Sequence, residues 1–315
     1  MARTVIYLRK IVEQTRGEEP EKMIGIYDVV ILLAGMMWGV LGIFVNRLTG
    51  IGFSSVQVAA LRWISSACIV FLLVFVTDKD KLKIRLRDIW IFALIGIGSS
   101  LAMSMFYFLS MNLTSVAVSD VLLYTSPIWV LVFSAIFFHE RITPKKLCCI
   151  LLAVCGCALV CGVLEQNGEL WNAKGIAFGV CSGIAYSLYS IMGKIVLKKY
   201  DRITLLVYNV LFAALGAILI VDIPQTVGLI GKNVNSLIYI LLLATVGTLF
   251  PFFFYTIGLK KTAASKAAVI CCIEPVTAAA VSALFLKEPL GILQVIGIGL
   301  IVGSIVLLQI KDENR

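Results

Sequence analysis

Residues 121–140 read VLLYTSPIWVLVFSAIFFHE, and residues 269–288 read VICCIEPVTAAAVSALFLKE. Set one under the other at an offset of 148, Val121 meets Val269 and Pro127 meets Pro275. Further along, Ser134-Ala135 meets Ser282-Ala283, Phe137 meets Phe285 and Glu140 meets Glu288. The same offset, without a gap, puts Phe106-Tyr107 on Phe254-Tyr255, Thr114 on Thr262 and Gly35 on Gly183. Shared apolar composition yields some matches, but not a proline and a glutamate thirteen residues apart in both stretches at one register. The chain is written twice.

Both copies are apolar throughout. Of 315 residues, 60% are hydrophobic and 14% charged, where soluble domains run at about half and about a quarter. That composition excludes a soluble globular domain, a disordered chain and a coiled coil. The continuous apolar runs exclude an outer-membrane barrel, whose strands alternate. A helix crossing ~30 Å of hydrocarbon needs about 20 apolar residues. Ten stretches qualify: 26–45, 56–76, 89–109, 115–138, 146–164, 174–197, 203–221, 237–259, 264–285 and 290–309. The fold class is all-α, a polytopic membrane protein. Its parts are a leader at 1–25, repeat one at 26–164, repeat two at 173–309 and a tail at 310–315. The leader's Val5, Leu8, Ile11 and Val12 have amphipathic helical spacing, as an interfacial helix would.

Net charge is +9, which in a membrane chain reads as topology and not as a nucleic-acid surface. Of the 27 basic residues, 21 fall in one set of loops and the tails, and only Arg47, Lys174, Lys232 and Lys287 in the other. The positive-inside rule then puts both termini in the cytoplasm, which needs an even number of spans. Each repeat holds five. Five is odd, so the second copy enters the bilayer upside down, giving two inverted five-helix repeats. Such repeats recur in secondary transporters that expose a midplane site to alternate sides.

Nine cysteines, Cys68 to Cys272, lie in or beside apolar runs and are expected as buried thiols acting as small hydrophobes. The single histidine, His139, leaves no metal set, and no cofactor is expected. Gly228–Lys232 is too short for a phosphate loop, and no loop is long enough for a catalytic domain, so the chain does not read as an enzyme.

At this point the residues resemble a family. Ser126-Pro127 through Glu140-Arg141-Ile142-Thr143, Glu274-Pro275 through Glu288-Pro289-Leu290, Gly35–Trp38 and Leu61-Arg62-Trp63 are similar to the EamA-type branch of the drug/metabolite transporter superfamily. The resemblance implies a transporter of small metabolites such as amino acids, export as its direction, and a central cavity lined by spans 1–4 and 6–9 with spans 5 and 10 peripheral. It also implies residence in the plasma or inner membrane, with a small-molecule substrate and the lipid bilayer as partners. Coupling to protons and coupling to nothing stay open. So do the monomer and the homodimer. The competing readings are a multidrug or organic-cation exporter and a non-transporting membrane scaffold or assembly protein.

Charged groups in hydrocarbon must be paired, wet or able to snorkel. Glu274 lies about 15 Å into span nine and cannot snorkel; it is a pathway carboxylate or a paired group beside the Pro275 kink. Arg62 and Asp120 enter spans two and four to matching depths, so an Arg62–Asp120 pair is one expectation. The other has Arg62 snorkelling and Asp120 capping span four. Lys194 is expected to snorkel. Asn209, near the repeat position of Arg62, calls for an interhelical hydrogen bond. Trp38, Tyr107, Tyr124, Tyr186, Tyr189 and Tyr255 sit within spans and want polar partners, which makes them candidate lining residues. Pro127, Pro251 and Pro275 interrupt spans four, eight and nine as kinks or hinges. Gly299 and Gly303 form a GxxxG expected to pack inside the monomer, with Ala153, Cys157 and Cys161 as a second small face.

Overall fold

The computed structural model describes residues 25–165, 172–286 and 290–310. The leader helix, the tail, the 166–171 connection and the Lys287–Glu288–Pro289 corner lie outside these described residues. Ten long helices follow in chain order: α1 (Ile26–Ile51), α2 (Ser55–Thr77), α3 (Leu86–Leu113), α4 (Val116–Phe138), α5 (Pro144–Val160), α6 (Ala173–Val196), α7 (Arg202–Ile218), α8 (Ser236–Leu259), α9 (Ala264–Phe285) and α10 (Ile292–Gln309). Eight are long and apolar enough to cross a bilayer. The other two, α5 and α7, have 17 residues each, roughly 25 Å of helix. After α7 the chain bends by 102° into a short helix, Ile223–Lys232. The expected seventh span is therefore a short crossing followed by a segment lying across it.

Local chemistry sets the ends. Ser54 accepts from the Gln57 amide, and the Gln57 side chain accepts from the Ser54 amide, a capping box that satisfies two exposed donors. Asn172 caps α6, Asp201 caps α7 and Thr143 caps α5 before Pro144. Helix α1 runs to Ile51, beyond the expected end at 45, because Asn46 and Arg47 continue it; Gly52 at φ +110° closes it, a conformation that glycine adopts without strain.

The two copies share their irregularities. Helix α4 breaks at Tyr124–Thr125, between Val116–Leu123 and Ser126–Phe138. Helix α9 breaks at Cys272, between Ala264–Cys271 and Ile273–Val281. Adding 148 to 124 gives 272. Pro127 and Pro275 sit in the first turn of the second segments, so the helix gives way three residues before each proline. Helix α3 widens into a π-turn at Leu94–Leu101, and α8 at Thr245–Leu249, again at one register.

Packing follows the same exchange. Helix α1 packs on α8 and α9, α6 on α3 and α4, α2 on α7, and α5 on α10. Swapping the halves maps α1–α8 onto α6–α3 and α1–α9 onto α6–α4, and maps α2–α7 and α5–α10 each onto itself. The backbones come close through glycines. A Cβ on Gly35 would stand 2.7 Å from the Ile273 side chain and 3.3 Å from the Cys271 carbonyl oxygen. One on Gly183 would stand 2.8 Å from the Leu122 oxygen. At the α5–α10 contact, Gly156 and Gly297 each face the other's carbonyl oxygen.

Two expectations are corrected. Gly299 and Gly303 have open space around them; α10 packs through Gly297 instead, and the GxxxG faces away from the bundle. Of the cysteines, Cys149, Cys157, Cys271 and Cys272 are buried, but Cys68, Cys148 and Cys155 are exposed on the bundle's outer side, where hydrocarbon is as apolar as a core.

One face carries both described ends, since Lys145 donates to the Ile310 carbonyl and Lys266 pairs with Asp28 at 3.0 Å; it is called the terminal face below. There the 79–88 connection is held down by the α6–α7 corner. Lys199 and Tyr200 both reach Asp88, Thr204 bonds the Lys81 carbonyl at 2.8 Å and Tyr208 that of Leu82 at 2.7 Å. Burial and the Asp88 bond hold the Tyr200 phenol above its ordinary pKa.

Gly39 on α1 lies against the α9 break: a Cβ there would meet the Glu274 carbonyl oxygen at 2.5 Å and Thr277 at 2.7 Å, whereas Gly42 has nothing within 4 Å. Overpacking costs about 1–3 kcal/mol. Gly39→Ala is expected to lower the melting temperature in detergent by several degrees and Gly42→Ala to leave it unchanged, as a thermal scan of both variants would read.

Candidate functional site

Glu274 is the second residue of the inner segment of α9, next to Pro275 and about 15 Å along the helix from Ala264. It is half-buried. Its electrostatic neighbours come from two other helices: Arg62 of α2, and Asp120 and Tyr124 of α4. Tyr186 of α6 lies within Coulombic reach of it. In the first repeat the same register holds Ser126, so this carboxylate has no twin.

Arg62 does not snorkel. Its Nε donates to Thr248 Oγ1 at 2.8 Å and its guanidinium reaches the Gly247 carbonyl at 3.5 Å. Gly247 is four residues before Pro251, which has no N–H to offer it, and both acceptors belong to the π-turn of α8. The mirror contact joins α3 to α7: Ser100, the repeat partner of Thr248, donates to Asn209 Oδ1 at 2.7 Å. Asn209 is 0% exposed. It makes the expected interhelical bond and does not line an open path.

Asp120 accepts from the Tyr107 hydroxyl at 2.7 Å. No ion pair joins it to Arg62. Matching depth is not contact, because the guanidinium is taken up by the π-turn of α8. Nor does Asp120 cap α4; Ser115 does, accepting from the Val118 amide.

The predicted aromatics divide into two groups. Trp38, Tyr186, Tyr189 and Tyr255 gather round Phe252 of α8, with ring centroids 5.2 Å apart for Trp38–Phe252, 4.8 Å for Tyr189–Phe252 and 6.3 Å for Trp38–Tyr186. Tyr255 shares a 2.7 Å hydrogen bond with Ser190. The Tyr189 hydroxyl is buried without a partner among the described residues. Tyr107 and Tyr124 stand apart from these, beside Asp120. Phe252, Thr248 and Ser100 were not singled out in the sequence. Thr248 and Ser100 stand opposite each other at the repeat offset, which is the signal that could have marked them.

A cavity of about 460 Å³ opens between α4, α5, α9 and α10, bounded by Asp120, Tyr124, Cys161, Pro275, Ser282 and Gln294. These residues belong to the halves of their helices remote from the terminal face. The expected lining by spans 1–4 and 6–9 is thus amended, since the ends of α5 and α10 take part. Among the described residues no lysine or arginine lines this cavity.

On the terminal face Glu140, two residues past the end of α4, ties that helix to α9. It accepts from Ser265 Oγ at 2.6 Å and from the Ala264 amide at 3.3 Å, at the first turn of α9. Lys194 and Lys146 approach it at 3.8 and 4.0 Å, and Lys194 also donates to the Thr262 carbonyl at 3.0 Å. The expected snorkelling of Lys194 gives way to this contact. Among the described residues no group of three His, Cys, Asp or Glu side chains is placed to hold a metal.

The EamA-like transporter family profile matches residues 25–162 and 173–310. An uncharacterized transporter of Archaeoglobus fulgidus is 30% identical over 90% of this chain and 98% of its own length. The uncharacterized transporter YetK of Bacillus subtilis is 23% identical over 81% and 78%. A solved crystal structure superposes with a TM-score of 0.72 at 17% identity, covering 90% of this chain and 96% of that one, a likeness of fold.

If α8 holds Arg62, then Arg62→Ala and Thr248→Ala are non-additive in unfolding free energy, with a coupling of about 1 kcal/mol. Arg62→Ala and Asp120→Ala add within about 0.5 kcal/mol. Double-mutant cycles on the purified protein would measure both.

Proposed function

The chain belongs to the EamA-like transporter family, and from that premise we propose that it is a secondary carrier exporting small metabolites, amino acids foremost, by alternating access, with a proton on Glu274 as the coupling ion. One observation carries this reading. A carboxylate sits half-buried at the break of α9, next to a cavity wall (Pro275) and within reach of one guanidinium. A glutamate at that depth persists only where water or partners reach it, and a carboxylate that alternates between two faces can carry a proton one way as a solute moves the other.

The rest of the site fits that task. Arg62 and Glu274 supply opposite charges for the two ends of a zwitterion, and the Trp38–Tyr186–Phe252 cluster supplies an apolar wall beside them. The arrangement is a carrier closed on the terminal face by Glu140 and hollow towards the other. With the terminal face cytoplasmic, as the basic loops imply, this is the state that releases an exported solute. Two folded copies related by inversion exchange their conformations at small cost in free energy, so the opposite state needs no new architecture. The residence proposed is the plasma or inner membrane, with both termini inside. A second reading, export of organic cations, is favoured by Asp120 standing on a cavity wall that, among the described residues, carries no basic side chain.

The test is proton movement in liposomes holding the full chain and the trapped dye pyranine. A mixture of the twenty amino acids is expected to dissipate an imposed pH gradient, and Glu274→Gln to cut the rate at least tenfold at unchanged melting temperature. Dissipation by Glu274→Gln at the wild-type rate would contradict the role of Glu274, and no response from the wild-type protein would contradict the amino-acid reading.

A further inference from the structure

A carboxylate near the middle of a bilayer exchanges protons with the outside only through a chain of O–H groups or water. The groups around Glu274 differ by direction. Towards α2 it meets Arg62, whose guanidinium stays charged at physiological pH and so hands no proton on. Towards α6 stands Tyr186, in edge contact with Trp38 at 6.3 Å. Towards α1 there is only Gly39, whose missing side chain lets α1 lie on the Glu274 carbonyl. From α5 come the thiols of Cys157 and Cys161, and on its own helix that of Cys271. Towards α4 stands Tyr124, and beyond it Asp120.

Asp120, Tyr124 and Cys161 line the 460 Å³ cavity on the side away from the terminal face. Of the three, Asp120 is the carboxylate, and Tyr124 follows it by one helical turn, its amide bonded to the Asp120 carbonyl at 2.8 Å. Asp120 lies six residues before Ser126, the repeat partner of Glu274, and so about 9 Å nearer the face remote from the termini at ~1.5 Å per residue. Tyr124 and Pro275, the residue after Glu274, line the same cavity, and the Tyr124 phenol is an electrostatic neighbour of both Glu274 and Asp120. Tyr107 from α3 donates to Asp120 at 2.7 Å, which orients the carboxylate and leaves its second oxygen for another partner.

We propose that Asp120 and Tyr124 form the proton relay between the cavity and Glu274, with Asp120 as the entry group and Tyr107 as its positioning residue. The proposal rests on the reading that Glu274 titrates during transport. A hydronium ion in the cavity gives a proton to Asp120 and is left as water. Asp120 passes the proton to the Tyr124 oxygen as that phenol gives its own proton to Glu274. One O–H bond breaks in hydronium and one forms on Glu274; Asp120 ends as a carboxylate and Tyr124 as a phenol, so no other reactant is needed. The reverse sequence empties Glu274 into the cavity. The repeat partner of Asp120 is Ala268 and that of Tyr124 is Cys272, so the relay exists in one repeat only and serves the face that the cavity meets.

The experiment is an acid pH jump on the full chain in detergent, followed by time-resolved infrared difference spectroscopy. The protonated-carboxyl band of Glu274 is the one removed by Glu274→Gln. In the wild-type protein the band is expected to rise quickly. Asp120→Asn and Tyr124→Phe are expected to slow its rise at least tenfold without reducing its final height, and Asp120→Glu to restore the rate. Melting temperatures identify any variant that fails to fold, and Asp120→Glu keeps the test alive in that case. A wild-type rate in Asp120→Asn overturns the relay and leaves Glu274 as the coupling group. A wild-type protein in which no Glu274 band appears across the titrated range overturns the reading of Glu274, and the relay with it.

Discussion

The structure depends on how two broken helices keep their backbones satisfied at membrane depth. Pro127 and Pro275 deprive Leu123 and Cys271 of helical donors, and an unpaired carbonyl in hydrocarbon costs several kcal/mol unless it faces protein or water. In both halves the break is buried against the opposite repeat, and in both halves a glycine makes this possible. Gly183 of α6 lies on the α4 break and Gly35 of α1 on the α9 break, each too close for a Cβ. The contact that protects each break is therefore also the contact that joins the two repeats. The π-turns of α3 and α8 use the same device, since their loosened backbones are met by polar side chains from α7 and α2, directly or through a hydroxyl.

Onto this symmetric frame the chemistry is written asymmetrically. Arg62 answers to Asn209 and its neighbour Val210, Asp120 to Ala268, and Glu274 to Ser126. Only one of each pair is charged, and Glu274 has both Arg62 and Asp120 among its neighbours. Symmetry supplies the means of exchanging two conformations, and asymmetry gives the exchange a single site. Glu140 illustrates the division of labour. It belongs to the repeated pattern, yet on the terminal face it ties α4 to the start of α9 through Ser265 and the Ala264 amide, a contact that must break for that face to open.

The helices and the repeat were legible because hydrophobic run length and an offset between copies are both one-dimensional. The proline positions marked the breaks for the same reason. The partners of the buried charges were not legible. Arg62 and Asp120 match in depth, and depth is what a sequence reports; the azimuth that turns Arg62 towards Thr248 is set by how α2 packs on α8. Lys194 lies near a helix end, where snorkelling is the cheapest solution, but the helix end that carries Glu140 stands within 4 Å. The GxxxG at Gly299 misled because small residues permit close packing without saying which face will use it; Gly297, two residues earlier, is the one opposite Gly156. The cavity between α4, α5, α9 and α10 was hidden for a similar reason, since none of its walls is distinctive alone.

The central claim is that two inverted units enclose a site reached from each face in turn. Labelling of a single cysteine at Ala278, a cavity-wall position one turn beyond Glu274, tests it most directly. A membrane-impermeant thiol reagent would be applied to each side of oriented vesicles carrying an otherwise cysteine-free chain. The account predicts labelling from the face remote from the termini in the intact protein, and labelling from the terminal face once Glu140→Ala releases the contact with α9. Labelling from the same single face in both proteins, or from neither face in either, would contradict it.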